Sequence, residues 1–184
     1  MSPHDEQPAS AARVKLTPLR SADLETLFAW INDRELVVLS APFEPVHEPD
    51  HRAWFDAIRR RTDVVVFGIR SMPTDELIGS CQLTRIDRRH RTAELQIRIG
   101  PANARGHGAG TEAVRLLLLH AFQDLDVHRV QLHVLATNLP AIRAYEKAGF
   151  RREGVLREAA YIAGRRIDLV VMGVLRDEAA AAEP

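Results

Sequence analysis

Apolar and polar positions change their period along this chain, and the changes divide it into elements. Residues 13–19 alternate, with Val14 and Leu16 on one face, and end at Thr17-Pro18, which predicts a short strand. Leu24, Leu27, Phe28 and Ile31 recur at helical spacing behind Asp23, a residue able to cap that helix. Residues 36–49 carry Pro42, Pro45 and Pro49 and read as a loop, after which Trp54, Phe55 and Ile58 form the stripe of a second helix. Residues 64–70 and 76–86 read as strands joined by the turn Met72-Pro73-Thr74-Asp75. Residues 92–99 form a further strand, with Ala93, Leu95, Ile97 and Ile99 on one face and Glu94, Gln96 and Arg98 on the other.

A glycine-rich turn follows, then a helix through Val114, Leu117, Leu118 and Phe122 and a buried strand at 130–135. Asn138 opens another helix, and Gly149 closes it in a left-handed conformation. Strands at about 155–162 and 166–175, turning at Ala163-Gly164, complete the chain. Hairpins make the middle strands antiparallel, while the helices after Gly110 and Asn138 require crossovers. The expected fold class is therefore α+β (mixed α/β), with a central twisted mixed sheet of about seven strands flanked by helices. The domain is expected over residues 13–178, between an unstructured lead at 1–12 and an unstructured tail at 179–184.

Composition removes several classes of function. The 184 residues suit one domain, and 46% hydrophobic with 27% charged residues is a globular balance. Lys and Arg number 25, as do Asp and Glu, so no net field draws in nucleic acid or an anionic membrane. No apolar run is long enough for a membrane span, and the N-terminus lacks the apolar core of a secretory signal. The lone Cys81 has no internal disulfide partner, which fits a reducing cytoplasm. No His, Cys, Asp or Glu cluster has metal-ligand spacing, so no metal is expected.

The turn Arg105-Gly106-His107-Gly108-Ala109-Gly110-Thr111 lies between a strand and a helix. Glycines let backbone N–H groups come close to a ligand, and the helix directs its positive end there, an arrangement that suits a pyrophosphate. Arg105 can add a charged fork. On this segment alone, a phosphate cradle and a merely flexible turn fit equally. A P-loop is excluded because no lysine lies nearby. A dinucleotide fingerprint fits Gly108, Gly110 and Ala113, but residues 100–104 separate it from the strand. The acidic residue it requires is also missing, since Ala136-Thr137-Asn138 stands at that place.

Arg105-x-x-Gly108-x-Gly110 resembles the acetyl-CoA pyrophosphate loop of the GNAT N-acetyltransferases. Asn138-Leu-Pro-Ala-Ile142-Arg-Ala-Tyr145-Glu-Lys-Ala-Gly149-Phe150 resembles the second cofactor motif of that family, one helix and one strand further on. The resemblance covers about residues 64–175, with 16–55 similar to the family's variable front helices. Glu94-Leu-Gln-Ile and Gly154-Val-Leu-Arg-Glu158 are similar to the branch with spermidine and ribosomal-protein N-terminal acetyltransferases.

The resemblance implies direct acetyl transfer from acetyl-CoA, as co-substrate, to a primary amine: a polyamine, an aminosugar or a protein N-terminus. It also implies Tyr145 as the acid that protonates the departing thiolate, and Glu94 as the base, acting through water. Cofactor contacts are expected from Ile97, Arg98, Ile99, Arg105, Gly106, His107, Gly108, Ala109, Gly110, Thr111 and Asn138. Trp30, Asn32, Phe43, Trp54 and Tyr161 fall where the family builds its acceptor pocket, though helical spacing favours core packing for Trp30 and Phe28, and Glu44, Glu48 and Asp50 could attract a cation. His133, in mid-strand, reads as core or as support for other groups. A homodimer is a family-level expectation, and the alternative function is a non-catalytic acyl-CoA sensor.

Overall fold

The computed structural model describes residues 14–72 and 74–180. The alternating stretches form strands β1 (Val14–Pro18), β2 (Val65–Ser71), β3 (Leu77–Asp87), β4 (Thr92–Ile99), β5 (Arg129–Leu135), β6 (Arg151–Ile162) and β7 (Arg165–Leu175). The helices are α1 (Leu24–Ile31), α2 (Arg34–Val37), α3 (Glu48–Ile58), α4 (Ala109–Leu119), α5 (Leu139–Lys147) and α6 (Arg176–Ala180). The strands make one seven-stranded sheet in the order β1-β2-β3-β4-β5-β7-β6. Only β4 and β5 are parallel; every other neighbouring pair is antiparallel. The α+β reading with a mixed sheet is what the chain adopts.

The core lies between the sheet and α4. Ala113, Val114, Leu117 and Leu118, at helical spacing, are buried against Ile69, Leu83, Leu95, Val130, Leu132, Met172 and Val174 of the strands. At about 25 cal/mol per Å² of apolar surface, burying each large aliphatic side chain contributes about 1.5–3 kcal/mol. On β3 and β4 the neutral polar residues alternate with these, so Gln82 and Gln96, paired across the strands, face the other way.

Several expectations change in detail. Asp23 does not cap α1; its carboxylate accepts from the Arg20 N–H at 2.7 Å and from the Arg70 guanidinium at 2.6 and 2.8 Å. Arg70 is 4% and Asp23 5% exposed, so a lone charge at either position would be costly, and pairing outranks capping. The stretch expected as loop from residue 36 begins inside α2, which Asp33 caps by accepting from the Leu36 N–H. Strand β6 starts at Arg151, four residues before the apolar pair Val155-Leu156 that suggested it, because as an edge strand it can be polar and exposed. Ala179 and Ala180, expected in an unstructured tail, close α6. The rest of that tail, 181–184, and the lead at 1–12 lie outside the described residues.

Candidate active site

Strands β4 and β5 pair only over Thr92–Arg129, Ala93–Val130 and Glu94–Gln131, whereas β5 remains paired with β7 along its whole length. Beyond Glu94 the two parallel strands therefore diverge. Strand β4 keeps its bonds to β3 as far as Ile99, so its backbone groups facing β5 have no ladder partner there. A groove of about 760 Å³ occupies the opening, lined by Ile97–Ile99, His133–Leu135, the glycine turn and one side of α5.

The floor of that groove at the glycine turn is made of backbone. Gly106 and Gly108 have φ of +83° and +89°, a left-handed conformation that side-chain-bearing residues adopt only with strain. Gly108 is the N-cap of α4, and no side chain caps the helix. The first bond inside the helix runs from Glu112 N–H to the Gly108 carbonyl, which leaves the N–H groups of Ala109, Gly110 and Thr111 without helical partners. Gly110 has ordinary helical φ, and a Cβ there would meet only Ile99 at 3.8 Å. Neither backbone conformation nor protein packing calls for glycine at that position, and its bare backbone leaves room for close approach of a ligand. The exposed amides, the helix dipole and the bare Gly110 together fit a pyrophosphate, and the unpaired edge of β4 fits an extended amide-bearing arm.

The expected contact residues divide into groups. Ile97, Arg98, Ile99, Arg105, Gly106, Gly108, Gly110, Thr111 and Asn138 line this groove. Ala109 does not; at 2% exposure it packs into the core under the turn. His107 is exposed and does not line the groove. The Arg105 guanidinium donates to the carbonyls of Ile99 and Gly100, bracing the turn against the end of β4 while keeping its charge beside the groove. Asn138 caps α5 through Oδ1, which accepts from the Ala141 N–H at 3.2 Å. Its Nδ2 donates to the Leu39 carbonyl at 2.9 Å and so ties α5 to the segment after α2.

A second groove, of about 640 Å³, opens on the polar face of the sheet. Its walls include Leu27, Val46, Asp50, His51 and Trp54 on the side of α1–α3, and Ser80, Gln82, Glu94 and Gln96 on the strands. The two grooves share Ser40, Ile97, Arg98, His133 and Tyr145, so they join at these residues. Tyr145 is held there by helix spacing: with Ile142 it is buried on the inner face of α5, against the Phe150 ring at 5.8 Å. Burial pushes its hydroxyl up to about 12, so the phenol keeps its proton throughout the neutral range.

Glu94 lines only the second groove. Its Oε2 accepts from Arg85 Nη1 at 3.0 Å, and its Oε1 lies 3.8 Å from Nδ1 of His133. Arg98 has no ion-pair partner among the described residues, and burial lowers its pKa. Cys81 is 1% exposed, and burial drives its thiol up to about 12, which makes it unsuited to be a nucleophile. His51 stacks on Trp54 and is pushed toward neutrality, mainly by burial.

Of the residues expected on the acceptor side, Trp54 and Asp50 line the groove. Trp30 covers Gly100, where a Cβ would lie 2.1 Å from the indole ring. Asn32 clamps Val46 by exchanging two hydrogen bonds with its backbone. Phe43 lies under Arg34, Tyr161 is 62% exposed next to Arg166, and Glu48 pairs with Arg52. His133, read from its mid-strand position as core or support, instead stands at the junction. Only the divergence of β4 and β5 leaves its side chain uncovered, and no local sequence signal marks that divergence.

Residues 13–151 match the family model described as an acetyltransferase (GNAT) domain. The spermidine N(1)-acetyltransferase of Escherichia coli K12 is 30% identical over 174 residues, covering 92% of this chain and 89% of that protein. The probable N-acetyltransferase YjcK of Bacillus subtilis is 38% identical over 113 residues, 61% of this chain and 62% of its own. The chain thus spans about three fifths of the length of several curated relatives it matches. The crystal structure of the Vibrio cholerae spermidine N-acetyltransferase with CoA and spermine superposes with a TM-score of 0.83 at 27% identity. That superposition covers 91% of this chain and 98% of the other.

Proposed function

This chain belongs to the acetyltransferase (GNAT) domain family, and on that premise we propose that it is an acetyl-CoA-dependent N-acetyltransferase acting on a primary amine. The observation that carries the reading is the meeting of two grooves at Tyr145: one with a pyrophosphate cradle at its far end, the other floored by polar strand residues. Bound acetyl-CoA supplies the activated acetyl group as a thioester. The α4 amides and Arg105 hold its phosphates, the free edge of β4 holds its arm, and Tyr145 protonates the sulfur as it leaves. Glu94 stands on the acceptor side of the junction, suited to assist removal of the amine's proton.

A cofactor sensor would need the first groove but not the second, so the acceptor groove favours the enzyme. The spermidine acetyltransferase relatives make a polyamine one candidate acceptor, and Asp50 in the groove wall supports a cation there. Aminosugars and protein N-termini complete the set. A homodimer belongs to the same reading, supported by exposed Val155 and Leu156 on the edge strand β6, and sedimentation at varied concentration tests it. For the activity itself, thiol release from acetyl-CoA is measured with polyamines, aminosugars, aminoglycosides and peptides. Turnover of at least one class is expected; tight acetyl-CoA binding with no turnover on any acceptor supports the sensor instead.

A further inference from the structure

Removing the amine's proton requires a group that is basic near neutral pH, free to accept, and open to both substrates. Of the five residues common to the two grooves, Ile97 has no suitable atom and Arg98 carries only donors. Ser40 has a hydroxyl, and the Tyr145 phenol holds its proton to about 12. His133 is left, an imidazole that can accept a proton at one nitrogen while the other donates. Its side chain is 31% exposed, and its Nε2 bonds to no protein atom among the described residues. Its Nδ1 faces Glu94 Oε1 at 3.8 Å, within ion-pair range but longer than a hydrogen bond.

Glu94 by itself is a poorer base. It lies outside the shared junction, and its other oxygen is already neutralised by Arg85 at 3.0 Å. A carboxylate on one nitrogen of an imidazole, however, selects the tautomer whose other nitrogen accepts, and stabilises the imidazolium that forms.

We propose that His133 takes the proton from the acceptor amine and that Glu94 positions it, a proposal that rests on the acetyltransferase reading above. Nε2 accepts one proton from the ammonium, and the freed lone pair forms the C–N bond to the thioester carbonyl carbon. The C–S bond breaks with its electron pair on sulfur, and Tyr145 protonates that sulfur. The nitrogen's surplus proton returns to the tyrosinate, and the imidazolium gives its proton to solvent, so acetamide, free thiol and one released proton balance the reaction. The other ionisable groups facing His133 are Glu94 and Arg98 from β4 and Tyr145 from α5; β7 presents the neutral Leu169 and Val171.

The test uses the full chain and an acceptor that the wild type turns over. His133→Gln should lower kcat about 10²-fold, the general size of a general-base contribution. Its acetyl-CoA Kd, measured by calorimetry, should stay within about twofold of wild type, which separates lost chemistry from lost folding. The acid limb of the kcat/KM profile should vanish in His133→Gln and persist in Glu94→Gln, with the latter losing only about tenfold. His133→Ala should regain turnover on addition of free imidazole, an effect that a structural role does not give. Full turnover with an unchanged acid limb in His133→Gln overturns the proposal, as does an acid limb abolished only by Glu94→Gln. If the wild type acetylates no amine, the acetyltransferase reading itself falls, and that result is separate from either of these.

Discussion

The two grooves that meet at Tyr145 are built from different materials. The groove proposed to hold the cofactor is largely a backbone device: uncapped amides at the start of α4, left-handed Gly106 and Gly108, and a strand edge left open by the divergence of β4 and β5. The groove proposed for the acceptor is a side-chain device, drawn from α1, the segment after α2, α3, α5, β2–β5 and β7. A backbone cradle tolerates little change. A wall of side chains can be altered one residue at a time, so on the proposed reading the choice of amine would be made there.

The sharpest way to break this contrast is through the scaffold of the acceptor side. Arg70→Met strands the Asp23 carboxylate, 5% exposed, beside the first turn of α1. Removing one member of a buried pair costs about 3–5 kcal/mol, so the denaturation midpoint should fall markedly. The double variant Asp23→Leu/Arg70→Met should recover part of that loss. A midpoint within 0.5 kcal/mol of wild type in the single variant, roughly the scatter of surface changes, would show that the pair does not anchor α1.

Next in size is Tyr145→Phe, which tests the junction. Turnover should fall about 10²-fold while acetyl-CoA affinity, read by calorimetry, changes little. In the wild type, loss of activity from ionisation of this hydroxyl belongs near pH 12, above the usual value of about 10, since burial raises the pKa and disfavours the phenolate. A tyrosine-dependent alkaline limb at pH 10 would contradict the buried placement.

Gly110→Ala separates what folding needs from what binding needs. The helix gains about 0.5–1 kcal/mol from losing a glycine, so the melting temperature should rise slightly. The added methyl projects toward the groove, and overpacking of about 1–3 kcal/mol should weaken acetyl-CoA binding about tenfold or more. Unchanged binding would mean that the ligand passes further from this turn. The smallest effect is expected on the side-chain wall: Asp50→Asn should raise KM for a cationic acceptor only a few-fold, within the ~1 kcal/mol range of an exposed charge. Salt should erase the difference, and KM for acetyl-CoA should not move.

The same contrast decides how much was legible before the fold was known. The glycine turn, the Asn138 cap and the left-handed Gly149 are local devices whose conformational demands are written in consecutive residues. Strand and helix order followed from periodicity, and errors gathered where one residue had two possible partners. Asp23 had the sequence of a cap and the environment of a buried ion pair, and Arg70, 47 residues away, settled its role. Trp30 packs over Gly100, in line with the packing its helical spacing suggested, while Asn32, expected near the acceptor, instead holds Val46 in place, a contact that no spacing within the chain foretells.

The sequence by itself determined the elements, the mixed sheet and the glycine turn, because hydrophobic period, glycine φ and helix ends are set by near neighbours along the chain. Only the tertiary structure decided what stands at the junction. His133 and Glu94 are on separate strands, and their 3.8 Å approach exists because β4 and β5 pair for three residues and then part. Where a ladder stops depends on packing on both faces of the sheet, a property of the whole fold. The juxtaposition of His133, Glu94 and Tyr145 is therefore a consequence of the divergence of two strands rather than of any motif.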